Sequence, residues 1–198
     1  MAAKKENKFK KSEILRRKIY HSSIDLFRER GFENVKIADI CEEVKISTGT
    51  FYYYFPSKEA IFLEYANVAD ELMEHVVSDL EYNSQAEKLH QLVLQKVHAY
   101  SVVGQKLSNA CLGAFLKHKD DSYLDVNRFA FNQFQETIEE GIRNGEFRED
   151  VDAEALTSGL RYMIGGITLH WASSKKNFDI EKVLSEHVDM LIEAMKKK

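Results

Sequence analysis

The residues best equipped for chemistry in this 198-residue chain stand together at Ser47-Thr48-Gly49-Thr50-Phe51-Tyr52-Tyr53-Tyr54. Hydroxyls at this spacing on one short helix can reach phosphates and the edges of bases. Solubility alone does not account for three consecutive tyrosines on an exposed helix. At about 100° per residue, turning Phe51 inward brings Ser47 and Phe55 to its side and leaves Gly49, Thr50, Tyr52 and Tyr53 pointing away. Gly49 permits close approach, while Thr48 and Thr50 occupy the first turn, where side chains reach base edges and free amides favour phosphate oxygens. Lys58 adds a positive charge just beyond the helix.

Other chemistries find less support. His98, Cys111 and His118 carry atoms that suit zinc or copper, but their spacing is not that of paired metal ligands, so no metal site or cofactor is expected. No nucleophile, base and oxyanion donors stand in a recognisable arrangement, and the chain does not read as an enzyme. Cys41 and Cys111 lie far apart, which favours reduced thiols over a disulfide.

The elements that position the hydroxyls are helical. The chain has a single proline, Pro56, and no sustained apolar-polar alternation, so an all-α fold is expected. A first helix runs from Ser12 to Arg30, with Ile14, Ile19, Ser23, Leu26 and Phe27 inward and Gly31 as its stop. Ile37, Ile40, Cys41 and Val44 make a two-turn helix, Lys45 to Ser47 a turn, and Ser47 caps the helix Thr48 to Phe55. Pro56 forces Phe55 out of the helical region. A longer bracing helix followed by two short ones and a tight turn has the shape of a DNA-reading helix-turn-helix.

Beyond Ser57 a long helix keeps Ile61, Tyr65, Val68, Leu72, Val76 and Leu80 on one stripe. Ser84 and Glu87 form a capping box ahead of Leu89, Leu92, Val93, Val97 and Tyr100. Further helices run from Gln105 to Lys117, from Ser122 to Asn144 with Gly145 as cap, and from Asp152 and Asp179 onward. The chain thus divides into a head, residues 1–56, with a basic N-terminal arm, and a body, residues 57–198.

Charge follows the same division. The net charge is -4, yet residues 1–60 carry 13 Lys+Arg against 9 Asp+Glu. A basic head on an acidic body suits a polyanion at one end only. No run of 18 apolar residues exists and the N-terminus lacks an apolar signal core, which points to a cytoplasmic protein and no membrane partner.

The run Gly31-Phe32, Ile37-Ala38-Asp39-Ile40 and Ile46 through Glu59 resembles the signature of the tetracycline-repressor (TetR) family, over residues from about Ile14 to Phe62. That resemblance implies a homodimer on a palindromic double-stranded DNA operator, repressing transcription until a small molecule binds the body and spreads the heads. By position, Thr48, Thr50, Tyr52, Tyr53 and Lys58 match DNA-contacting positions of the family; Lys36, Ser47, Gly49 and Tyr54 complete the expected interface. Two residues depart from the pattern. Lys36 replaces a capping threonine and cannot accept from the helix amides, which leaves it for phosphate. Lys45 replaces glycine, so it must adopt positive φ or reshape the turn.

Gly159, Gly165 and Gly166 in the penultimate helix point to close helix approach or a kink, as a dimer seam or pocket wall requires. The bulky residues Tyr100, Phe115, Phe131, Phe134, Met163 and Trp171 are the expected lining of a cavity for an apolar or aromatic effector. The alternative is a DNA-bound adaptor whose body docks a protein. A cavity favours the sensor; a filled core with a large exposed apolar patch favours the adaptor.

Overall fold

A computed structural model describes residues 2–118, 128–176 and 178–197, and the side chains among these apart from those of 2–10, 65–67 and 118. The all-α expectation holds. The elements are α1 (Ala2–Arg30), a single 3-10 turn (Phe32–Asn34), α2 (Ile37–Val44), α3 (Thr48–Tyr54), α4 (Ala60–Ser78), α5 (Gln85–Val103), α6 (Gln105–His118), α7 (Phe129–Arg143), α8 (Ala153–Ser173) and α9 (Ile180–Met195). Among the described residues there is no strand, only an isolated antiparallel bridge between Phe147 and Lys196. The Ser122 start expected for the helix before Gly145 lies outside the described residues.

Several ends fall where capping chemistry puts them. Gly31, Gly104 and Gly145 all take positive φ. Ser47, Ser84, Asp152 and Asp179 each accept a backbone amide three residues on. The Ser84–Glu87 box is half formed: the Glu87 carboxylate accepts from the Asn83 backbone amide at 2.8 Å rather than from Ser84. The first helix begins ten residues before its expected start, since residues 2–11 contain neither glycine nor proline and are mostly good helix formers. In α1 Ile14 is exposed, and in α4 Leu72 is 58% exposed while Met73 is buried. Both positions sit at the edge of a stripe whose centre lies elsewhere.

Two clusters of buried side chains result. One belongs to the body, where α5 lies between α7 and α9, and includes Leu92, Val97, Phe134, Phe147, Leu160, Trp171 and Leu184. The other joins α1, α2 and α3 around Phe27, Ile40, Phe51 and Phe55, continues into Ile61 and Phe62 of α4, and takes in Leu107, Cys111 and Phe115 of α6. Helix α6 and the start of α4 thus pack directly against the first three helices.

Glu146 shows how distant segments are tied together. Its carboxylate accepts from the amides of Gln85 and Ala86 at 2.8 and 2.9 Å, so a residue beyond α7 satisfies the orphan donors at the start of α5. Replacing Glu146 by alanine is expected to cost about 0.5–2 kcal/mol, the usual worth of a helix cap, measured as a lowered urea midpoint at unchanged slope.

Candidate nucleic-acid interface and internal cavity

The head presents α3 on a rigid frame. Phe51 and Phe55 are buried, and Phe55 is extended, φ -134, immediately before Pro56. At the turn, Lys45 adopts the left-handed conformation, φ 62 and ψ 53, and the Ile46 amide returns to the Cys41 carbonyl at 3.0 Å. A non-glycine residue therefore keeps the turn by accepting positive φ. At Lys36 the side chain makes no cap; the Asp39 carboxylate instead accepts from the Lys36 amide at 2.7 Å. The Lys36 side chain is left exposed.

The expected interface residues separate into two groups. Lys36, Ser47, Thr48, Gly49, Tyr52 and Tyr53 are exposed together, with Tyr53 at 79% and Tyr52 at 54%, and Thr50 is half-buried beside them. The Ser47 and Thr50 hydroxyls lie 2.9 Å apart, and Ser47 also accepts the Thr50 amide, so Ser47 serves the helix as its cap. Tyr54 departs from expectation. Three residues after Phe51 it falls only about 60° from the buried face, and its hydroxyl lies 3.1 Å from Ser12 Oγ on α1. It braces the helix from behind.

Lys58 departs as well. Its ammonium donates to the carbonyls of Phe32 and Val35 at 2.6 and 2.9 Å and lies 4.1 Å from the centre of the Phe32 ring. The backbone around the 3-10 turn turns its carbonyls toward α4, and a lysine just before that helix satisfies them. Lys58→Met is expected to lose about 1–3 kcal/mol of stability by stranding these acceptors, read by urea denaturation. A loss of DNA affinity with unchanged stability would return Lys58 to the interface.

Head and body are strapped together. Arg16 of α1 pairs with Glu64 of α4 at 2.5 Å, Arg17 with Glu71 at 2.9 Å, and Lys117 of α6 with Glu59 at 3.0 Å. The Lys117 bond holds the Glu59 carboxyl down at about 2. Between these straps lies a half-open cavity of about 470 Å³ where α1 meets α4 and α5. Its walls are mainly apolar, with Ile24 from α1, Leu72, Met73 and Val76 from α4, and Tyr100 and Val103 from α5; Lys96 and Arg128 also border it.

Of the six residues expected to line a cavity, Tyr100 alone reaches this one. Phe131 instead borders a smaller space of about 280 Å³ between α7 and α8, beside Thr157 and Arg161. Phe134 and Trp171 are locked in the body core, with Met163 packed against it, and Phe115 sits in the head cluster on α6. The bulky rings interlock and fill the body; the space opens where medium-sized side chains meet at the seam. Sequence reasoning missed Lys96. A signal was present, because Lys96 falls four residues after Leu92 and four before Tyr100, on the buried stripe of α5.

His98 and Cys111 serve other contacts. His98 Nδ1 lies 3.0 Å from a Glu181 carboxylate oxygen, and Cys111 is buried beneath the Phe62 carbonyl, its thiol pushed up to about 12 by burial. The His118 side chain lies outside the described residues. Among the described residues no group of three or more His, Cys, Asp or Glu could hold a metal ion, and no helix is long and apolar enough to cross a membrane.

Residues 19–65 match the family described as bacterial regulatory proteins, tetR family. An uncharacterized HTH-type transcriptional regulator of Bacillus subtilis (strain 168), YuxN, is 43% identical over 49 residues, 25% of this chain and 17% of that protein. The fatty acid metabolism regulator protein of the same organism is 20% identical over 191 residues, covering 91% of this chain and 95% of its own length. Among solved structures, FadR of Thermus thermophilus, a TetR-family transcriptional repressor in complex with lauroyl-CoA, superposes with a TM-score of 0.68 at 21% identity, over 92% of this chain and 96% of that one.

Proposed function

We propose, for a chain whose N-terminal domain is that of the TetR family of bacterial regulatory proteins, that it is a dimeric, ligand-responsive repressor of transcription acting on a palindromic operator. Residues 1–56 form the DNA-binding head and residues 57–198 the sensing and dimerisation body. The observation that carries this reading is the double role of α1. That helix packs behind the exposed Tyr52-Tyr53 face through Ser12 and Tyr54, and its Ile24 walls the 470 Å³ cavity. A molecule filling the cavity would push on the element that aims the reading helix. A volume of this size, mainly apolar, falls in the range of small-molecule sites and favours the sensor over the adaptor. The complex of Thermus thermophilus FadR with an acyl-CoA supports an apolar effector.

DNA contact is assigned to Thr48, Gly49, Thr50, Tyr52 and Tyr53, with Lys36 on phosphate. Dimerisation is assigned to α8 and α9. Tyr162, Leu169 and Met190 are exposed there, α8 runs unbroken through its glycines, and a Cβ at Gly159 or Gly166 would meet nothing within 4 Å. A partner helix could therefore approach closely at both positions.

The test is selection of bound duplexes from a random DNA library, with titration of the best at two salt concentrations. A palindrome with half-sites about one turn or more apart is expected. Salt-sensitive binding without any enriched sequence would overturn the operator assignment.

A further inference from the structure

Lys96 places a cation on the wall of a mainly apolar cavity. It falls between the buried Leu92 and Tyr100 in the helical repeat of α5 and is itself half-buried. Its ammonium hangs 5.0 Å from the centre of the Phe131 ring. Among the described residues, no carboxylate, carbonyl or hydroxyl lies within hydrogen-bonding distance of it. Burial pulls the ammonium down to about 8, with Arg128 pushing the same way and Asp70 opposing.

The carboxylate that acts on Lys96 among the described residues, Asp70, is already engaged. Asp70 of α4 pairs with Arg128 Nε at 2.9 Å, the two side chains being 21% and 9% exposed, and the same oxygen lies 3.4 Å from the Phe129 amide. Asp70 is thus committed to Arg128, and Lys96 stands on the wall of a mainly apolar cavity with no hydrogen-bonded anion of its own among the described residues. A buried charge is costly unless it is paired and hydrogen-bonded. The remaining ionisable groups on the cavity wall do not supply the missing anion. Asp25 of α1 sits with Arg28 at 3.9 Å on the exposed side, His21 and His75 carry no negative charge, and His98 is tied to Glu181.

We propose that the effector is an apolar molecule carrying its own negative charge, a free carboxylic acid on a hydrocarbon body, and that Lys96 holds the carboxylate while Leu72, Met73, Val76 and Ile24 cover the chain. This rests on the cavity being the effector site and deepens that reading. A neutral ester or thioester of the same chain leaves the ammonium unpaired, so the site discriminates acid from ester by charge.

The experiment is calorimetric titration of the full-length protein with dodecanoate, dodecanol and lauroyl-CoA at pH 7.0 and pH 9.5, on wild type and Lys96→Met. Dodecanoate is expected to bind wild type about tenfold or more tighter than dodecanol at pH 7.0, the worth of a hydrogen bond to a charged group. The carboxylate is ionised at both pH values. The preference should therefore shrink at pH 9.5, as Lys96 loses its proton, and vanish in Lys96→Met, which keeps its affinity for dodecanol. Equal binding of acid and alcohol to wild type, or a preference that survives Lys96→Met, overturns the assignment while leaving the cavity as an apolar site. Tighter binding of lauroyl-CoA, unaffected by Lys96→Met, overturns it in favour of phosphate recognition at the mouth. Absence of binding by all three overturns both readings. The melting temperature of Lys96→Met checks that the fold is intact.

Discussion

Phe147→Ala is expected to remove about 3–5 kcal/mol of stability, the usual range for deleting a fully buried phenylalanine. Phe147 is completely buried in the body core although it lies outside any helix, and two helices depend on it. Its amide bonds the Gly141 carbonyl at 2.8 Å, its backbone bridges to Lys196, and the following Arg148 amide bonds the Met195 carbonyl at 2.9 Å. The ring thus pins the end of α7 to the end of α9. Gly141 provides an internal check, because a Cβ built there would stand 2.2 Å from Phe147 Cδ2. A helical glycine changed to alanine ordinarily gains up to about 1 kcal/mol; Gly141→Ala is expected to lose about 1–3 kcal/mol through overpacking. A rise in the urea midpoint for Gly141→Ala would mean that the ring does not cover that turn.

Tyr53→Ala is expected to weaken binding to the selected operator by about 10- to 100-fold, corresponding to about 1–3 kcal/mol for a good base-edge contact, without altering dimerisation or thermal stability. The side chain is 79% exposed, so its removal leaves no cavity. Tyr54→Phe should behave in the opposite way, since that hydroxyl faces Ser12 inside the head; a small stability loss with near-normal affinity is the expected result. Fluorescence anisotropy on the operator and on an unrelated duplex separates the two cases. Equal affinity of Tyr53→Ala and wild type for the operator would remove Tyr53 from the interface.

The helix order, the turn chemistry and the exposed tyrosine face were legible because each rests on local rules: periodicity, caps, and the restrictions imposed by proline and glycine. Tyr54 and Lys58 take partners within the head that the sequence does not display, for a physical reason. Three consecutive tyrosines look equivalent in a sequence, yet a rotation of 100° each carries the third back toward Phe51. The carbonyls that occupy Lys58 belong to Phe32 and Val35, more than 20 residues away. Most of the bulky residues expected around a cavity pack into the cores because aromatic size signals burial rather than vacancy. Where space remains depends on how α1 seats against α4 and α5, a long-range matter on which composition is silent. Lys96 was visible as a break in the α5 stripe, but that it meets the Phe131 ring and no hydrogen-bonded anion among the described residues is revealed only by the folded arrangement.

The two native thiols open an experimental route of another kind. Cys41 lies inside the helix-turn-helix and Cys111 on α6 where the body enters the head core, and both are free and buried. Burial holds each thiol above its ordinary range, so neither reacts until its surroundings open, since the thiolate is the reactive form. Timed alkylation followed by peptide mass spectrometry would therefore run two clocks in one unmodified molecule. The Cys41 clock reports the opening of the head itself, and the Cys111 clock its separation from α6. If a small molecule lengthens one and shortens the other, the pair of rates shows which of the two segments tightens and which opens.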